Sequence, residues 1–245
     1  MAEKSLGTGG RKSDKDLKIR VKSAKGRKVS STMWLERQLN DPYVARARAE
    51  GLRSRAAFKI REMDEKHHLF RKGMRIVDLG AAPGGWSQVA AKAIGSTEAN
   101  PLIVAIDYLF VDPIPGVILL QKDFTDPDAP QVLIDAMGGK KVDLVMSDMA
   151  WPTTGHRPTD HLRIVHLIEI AAEFAIDVLA ENGMFVAKVF QGGTEHELLH
   201  MLKRHFRTTV HAKPKSSRQD SAEAYLIAKG FRGNVDREEA AEDEE

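Results

Sequence analysis

From Met74 onward the chain alternates short apolar runs with longer amphipathic ones. The apolar runs are Met74–Leu79, Leu102–Ile106, Gly116–Gln121, Val142–Ser147, Gly183–Phe190, Arg207–His211 and Ala222–Ala228, all of strand length. Between them, Gly85–Ile94, Ala129–Met137, His161–Leu179 and Glu195–Arg204 repeat apolar residues at helical spacing. Upstream, Ser54–Lys66 predicts an amphipathic helix with Ala57, Ile60 and Met63 inward. Ser31 or Thr32 can cap a shorter helix that Asp41-Pro42 interrupts. Apolar strands separated by helices indicate an α/β fold: a mostly parallel seven-stranded sheet with helices on both faces. In such folds ligands bind beyond the C-terminal ends of the strands.

The residues at those strand ends carry the candidate chemistry. Asp78–Gln88 reads DLGAAPGGWSQ, an acid followed by a loop of Gly, Ala and Pro and then a helix. Small residues let the backbone approach a ligand closely, and a helix start offers free N–H groups. Gly80, Ala82 and Gly85 do not make the dinucleotide pattern G-x-G-x-x-G, and no Gly-Lys-Ser/Thr of a P-loop follows. The remaining reading is an S-adenosylmethionine loop, against a plain strand–helix turn. Asp107, Asp123 and Asp148 follow the next three strands. Asp107 can accept both hydroxyls of a ribose, and Asp123 can meet an adenine amino group. Any one of them could be a simple helix cap; acids after four successive strands favour a ligand site. Lys188 lies near the end of an apolar strand, flanked by Val189 and Phe190. A lysine there needs a partner or a task, unless it guards a sheet edge.

Composition adds partners and exclusions. The 245 residues suffice for one domain with short extensions, and the absence of cysteine excludes disulfides and thiolate metal sites. No leader-like or membrane-length apolar run occurs, so a cytoplasmic protein without membrane association is expected. The net charge of +2 conceals asymmetry: residues 1–33 hold ten Lys/Arg against three Asp/Glu, and residues 235–245 hold seven acids against Arg237. The reading is a basic disordered arm over 1–30, a catalytic domain over 31–231 and an acidic tail over 232–245. A basic arm suits RNA, or simply solubility.

Taken together, Ser54-Arg55-Ala56-Ala57-Phe58-Lys59, Asp78–Gln88, Met146-Ser147-Asp148-Met149-Ala150, Lys188-Val189-Phe190-Gln191-Gly192 and Ser216-Ser217-Arg218 leading to Glu223-Ala224-Tyr225 resemble the FtsJ heat-shock family of ribosomal RNA ribose 2′-O-methyltransferases, in its bacterial large-subunit branch. The resemblance covers roughly 33–230 and implies a Rossmann-like methyltransferase fold with S-adenosyl-L-methionine as cofactor. It implies a catalytic tetrad of Lys59, Asp148, Lys188 and Glu223, with Gly84, Trp86, Asp107, Asp123 and Asp148 at the cofactor. The implied substrate is a uridine ribose of 23S rRNA in the assembled large ribosomal subunit. One departure stands out: where the branch continues Asp-Met-Ala-Pro-Asn, this chain reads Asp148-Met149-Ala150-Trp151-Pro152, and the missing Asn bears on substrate positioning.

For RNA, the basic and aromatic residues Trp34, Arg37, Arg53, Arg55, Lys59 and Arg218 are the expected contacts. Lys188 would either accept the hydroxyl proton or, as an ammonium, stabilise the developing alkoxide. No metal site is expected from the scattered histidines, and a monomer is expected. The alternatives are 2′-O-methylation of another RNA (tRNA or a 5′ end), or a non-catalytic RNA-binding assembly factor.

Overall fold

The computed structural model describes residues 29–151, 156–190, 196–218 and 221–233. Most of the expected basic arm and acidic tail therefore lies outside the described residues, as does Pro152. The described chain opens with three helices, α1 (Val29–Leu39), α2 (Pro42–Ala49) and α3 (Ala56–His67). Asp41-Pro42 both ends α1 and starts α2. The Asp41 carboxylate accepts the Tyr43 N–H at 3.0 Å, and Pro42, which has no N–H to satisfy, occupies the first turn.

The sheet contains β1 (Ile76–Leu79), β2 (Ile103–Asp107), β3 (Val117–Gln121), β4 (Val142–Ser147), β5 (Leu179–Phe190), β6 (Phe206–Ala212) and β7 (Glu223–Phe231). Their order is β3-β2-β1-β4-β5-β7-β6. β1 to β5 pair in parallel, whereas β7 runs antiparallel to both β5 and β6. The helices α4 (Gly85–Ile94), α5 (Ala129–Ala136), α6 (Arg157–Val178) and α7 (His196–His205) connect them. No helix among the described residues is long and apolar enough to cross a membrane. β5 begins earlier than the apolar pattern indicates. Leu179 leaves α6 directly into a pairing with Val142, and the register then shifts past Asn182, whose φ is 63°.

Strand alternation sorts the core into two layers. Val77, Val145, Phe185, Ala187, Val189, Ala224 and Leu226 pack with α5, α6 and α7. Ile76, Leu144, Met146, Met184, Val186, Tyr225 and Ile227 face α3 and α4. With a period of two, Asp78, Asp148, Lys188 and Glu223 fall on the α3/α4 side. The chain order reverses between β1 and β4, whose ends meet at Leu79 and Ser147. A crevice opens at that point.

Candidate active site

Lys188 on β5 is paired with Tyr225 on β7, and Phe190 with Glu223. The side chains of Lys188 and Tyr225 leave the sheet together and meet Asp148, the residue after β4. Lys188 Nζ lies 2.9 Å from Asp148 Oδ1 and donates to the Asp148 carbonyl at 2.7 Å. The Tyr225 hydroxyl donates to the same Oδ1 at 3.0 Å. Lys59 comes down from α3, donating to Tyr225 Oη at 3.1 Å and to Glu223 at 2.8 Å. Ser217 Oγ donates to the other oxygen of Glu223 at 3.0 Å. The four residues of the expected tetrad thus form one line, Lys188–Asp148–Tyr225–Lys59–Glu223, with Tyr225 joining its halves. Their charged side chains are each less than one-fifth exposed.

Burial pushes the Asp148 carboxyl up, but the charges of Lys188 and Lys59 and the bonds from Lys188 and Tyr225 outweigh it. The group is held below the usual carboxylate range and stays ionised. Burial, with the negative charges of Asp148 and Glu223, holds the Tyr225 hydroxyl well above its ordinary value, so it remains a donor. Tyr225 is the site residue that the sequence reading passed over. Its signal was present: it stands two residues after Glu223 on one strand, hence on the same face.

A cavity adjoins Asp148 beyond the ends of β1, β2 and β4. Its walls include Gly80, Ala82, Ile106, Asp107, Asp123, Phe124, Asp148 and Leu167. Gly80 has φ +76°, and a Cβ there would come within 2.9 Å of the Met149 Cα, so the crossing of these loops requires glycine. Asp107 accepts the Ala82 N–H at 2.8 Å and the Leu109 N–H at 2.8 Å, which fixes its carboxylate at the rim. Asp123 turns through its own bonds to Thr125. Among the described residues, three acids line the cavity and no lysine or arginine does. That lining suits a nucleoside carrying positive charge and disfavours a phosphate-bearing one.

Of the residues expected at the cofactor, Asp107, Asp123 and Asp148 line this cavity, whereas Gly84 and Trp86 are not among its lining residues. Gly84, at φ +101°, caps α4 against Ile114 and Arg53. Trp86 is buried, donates its indole N–H to the Ala56 carbonyl at 3.0 Å and packs on Tyr225 with ring centres 5.5 Å apart. It supports the network from behind. Asp78 lies beneath the loop, fully buried, with one oxygen held by Ser87 at 2.5 Å and the other without a hydrogen-bond partner. Burial, together with Asp148 and Asp107, raises its pKa to about 7.

The expected RNA contacts separate. Arg37 is exposed beside Tyr43, Lys215 and Arg218 in a groove of about 770 Å³ next to Ser217. Arg218 and Arg55 both bind the Asp41 carboxylate, and Arg55 also donates to the Ser216 carbonyl. Arg55 is thereby committed to tying α2 to the segment that holds Glu223, a different role from the expected phosphate contact. Arg53 is likewise engaged: its guanidinium donates to the carbonyls of Asp112 and Pro113 at 2.7 and 2.5 Å. The reason is packing, since the stretch before α3 lies against the cofactor loops. Lys59 belongs to the buried network, and the Trp34 side chain lies outside the described residues. Among the described residues, no group of three or more His, Asp or Glu side chains gathers as a metal site.

The FtsJ-like methyltransferase model matches residues 52–231. The chain is 63% identical over 228 residues to the ribosomal RNA large subunit methyltransferase E of Azorhizobium caulinodans, covering 93% of this chain and 95% of that protein. It is 59% identical over 237 residues to the protein of the same name from Sinorhizobium fredii, covering 96% of each. A crystal structure of a ribosomal RNA methyltransferase from Plasmodium falciparum superposes with a TM-score of 0.65 at 32% identity, covering 74% of this chain and all of that one.

Proposed function

Because the chain belongs to the FtsJ-like methyltransferase family, we propose that it methylates a uridine ribose 2′-hydroxyl of 23S rRNA in the large ribosomal subunit. The observation that carries this reading is the line from Lys188 to Glu223 opening beside an acid-rimmed cavity. The protein uses S-adenosylmethionine, which supplies a methyl group already activated on a sulfonium. Asp107 and Asp123 would hold its ribose and adenine, and Asp148 would border its reactive end. Large-subunit rRNA as the substrate is supported by the names of its relatives. The reading includes action in the bacterial cytoplasm, by a monomer, on the large subunit.

A ribose hydroxyl is a poor nucleophile at neutral pH, so the protein must orient it and manage its proton. Lys188 is clamped by the carbonyl and the carboxylate of Asp148, so its direction is set before substrate arrives. Such pre-orientation is a large part of what an active site contributes. A lysine so placed serves either by accepting the hydroxyl proton or, as an ammonium, by stabilising the oxyanion. Tyr225 and Lys59 hold the carboxylates of Asp148 and Glu223 in place, which keeps the network in one geometry.

The direct experiment is transfer of labelled methyl to large subunits from cells lacking the protein, followed by mapping of 2′-O-methyl positions. One uridine in 23S rRNA should gain the label. Label in tRNA or at a 5′ end would redirect the substrate, and binding without transfer would identify an assembly factor.

A further inference from the structure

Of the eight large hydrophobic side chains exposed among the described residues, five belong to one region: Tyr108, Leu109, Phe110, Trp151 and Leu162. Tyr108, Asp123 and Trp151 line the cofactor cavity and also an adjoining recess of about 700 Å³, whose far side, away from Asp123, is formed by Leu162, Arg163 and His166. The first cavity also has a buried apolar wall of its own, with Ile106 and Phe124. The recess is a second space whose aromatic surface faces outward. Exposed apolar groups gathered at one place mark a contact surface. Here they stand beside two cationic or cation-capable side chains one helical turn apart, Arg163 and His166, both exposed. Aromatic faces with neighbouring cations suit single-stranded nucleic acid, whose bases stack and whose phosphates need positive charge.

We propose that Trp151 is the platform on which a base of the RNA substrate stacks, with Arg163 and His166 meeting the adjoining phosphate. Trp151 is 40% exposed and stands three residues after Asp148. A base resting on it lies at the Lys188–Asp148 end of the network. The Arg37–Lys215 groove touches the opposite end through Ser217 and Glu223. RNA gripped at both ends crosses the reacting centre between them. This inference rests on the proposed activity for the identity of its ligand.

The test uses the full chain and the variants Trp151→Ala, Trp151→Phe and Arg163→Ala. Calorimetry gives the S-adenosylmethionine Kd, and methyl transfer gives the KM for undermodified large subunits. Trp151→Ala should raise that KM roughly tenfold, the order of one lost stacking contact. The cofactor Kd should rise by a smaller factor than the KM, since Trp151 also borders the cofactor cavity, Trp151→Phe should recover most of both losses, and Arg163→Ala should weaken binding while making its salt dependence shallower. In parallel, oligouridylate should quench the tryptophan fluorescence of the wild type and do so much less in Trp151→Phe. That readout needs no catalysis, so it tests the platform even if the wild type fails to methylate subunits, a result that would sink only the proposed activity. An unchanged KM in Trp151→Ala, or a tenfold weaker cofactor with an unchanged KM, overturns the platform. So does a raised KM without any oligouridylate quench, which would mean that Trp151 meets a ribosomal protein.

Discussion

Lys188 and Tyr225 are partners across the β5–β7 ladder, and both reach a single atom, Oδ1 of Asp148, at 2.9 and 3.0 Å. One strand pairing thereby fixes a lysine, a phenol and a carboxylate relative to each other. Tyr225→Phe keeps the ring against Trp86 and removes only the hydroxyl. A hydrogen bond to a charged group contributes about 1.5–3 kcal/mol. The turnover rate should therefore fall by roughly ten- to a hundredfold, with cofactor and subunit binding near normal. Single-turnover methyl transfer measures it; an unaltered rate would reduce Tyr225 to a packing residue.

Lys188→Ala should abolish methylation while calorimetry still detects the cofactor, because Lys188 does not line the cavity. Loss of cofactor binding in that variant would move Lys188 out of the reaction and into the pocket wall. The pH–rate profile of Lys188→Arg separates its two roles. A base role requires that the wild type show an ionisation that the arginine variant, which keeps its charge, has lost. An identical profile leaves oxyanion stabilisation.

Lys59 and Glu223 form an ion pair at 2.7 Å with little exposure. Removing one partner strands a buried charge, which typically costs about 3–5 kcal/mol. Glu223→Ala should lower the urea midpoint markedly, and Lys59→Met combined with Glu223→Leu should recover much of the stability while staying inactive. If the single variant unfolds like the wild type, the pair is more solvated than its geometry indicates.

Asp78 gives a pH dependence of opposite sense to an ordinary paired carboxylate. Its folded pKa, about 7, lies above the ordinary carboxylate value of 3.8 that applies when unfolded. The native state therefore binds the extra proton, and stability falls as pH rises from about 4 through 7. The upper bound on that fall is roughly 4 kcal/mol. Asp78→Asn should flatten the profile of the cofactor-free protein between those limits, as read by denaturant melts. A parallel profile for wild type and variant would show that Asp78 is ionised in the fold.

Arg53 holds the carbonyls of Asp112 and Pro113, and its own N–H meets Gln88 Oε1 at 3.0 Å. These contacts join the stretch before α3 to the loops of the cofactor cavity. Arg53→Ala should weaken S-adenosylmethionine about tenfold through the loss of two hydrogen bonds, with a smaller effect on subunit KM. The reverse pattern would return Arg53 to the RNA.

Periodicity by itself determined the seven strands, the helices between them and the acids at their ends, because those signals are local. The loop of small residues after Asp78 was likewise legible as a place where backbone can approach a ligand closely. What lay beyond local reading was partnership. Arg53 and Arg55 look in sequence like the other exposed cations of the entry region. Only the packing of that region against the sheet brings carbonyls and Asp41 within their reach. Trp86 and Asp78 were turned inward for the same reason, by α3 and α4 closing over them. Tyr225 was legible as a neighbour of Glu223 on one strand face, but its bond to Asp148 spans 77 residues. Such a contact exists only once β7 inserts antiparallel beside β5, a pairing that no local periodicity encodes.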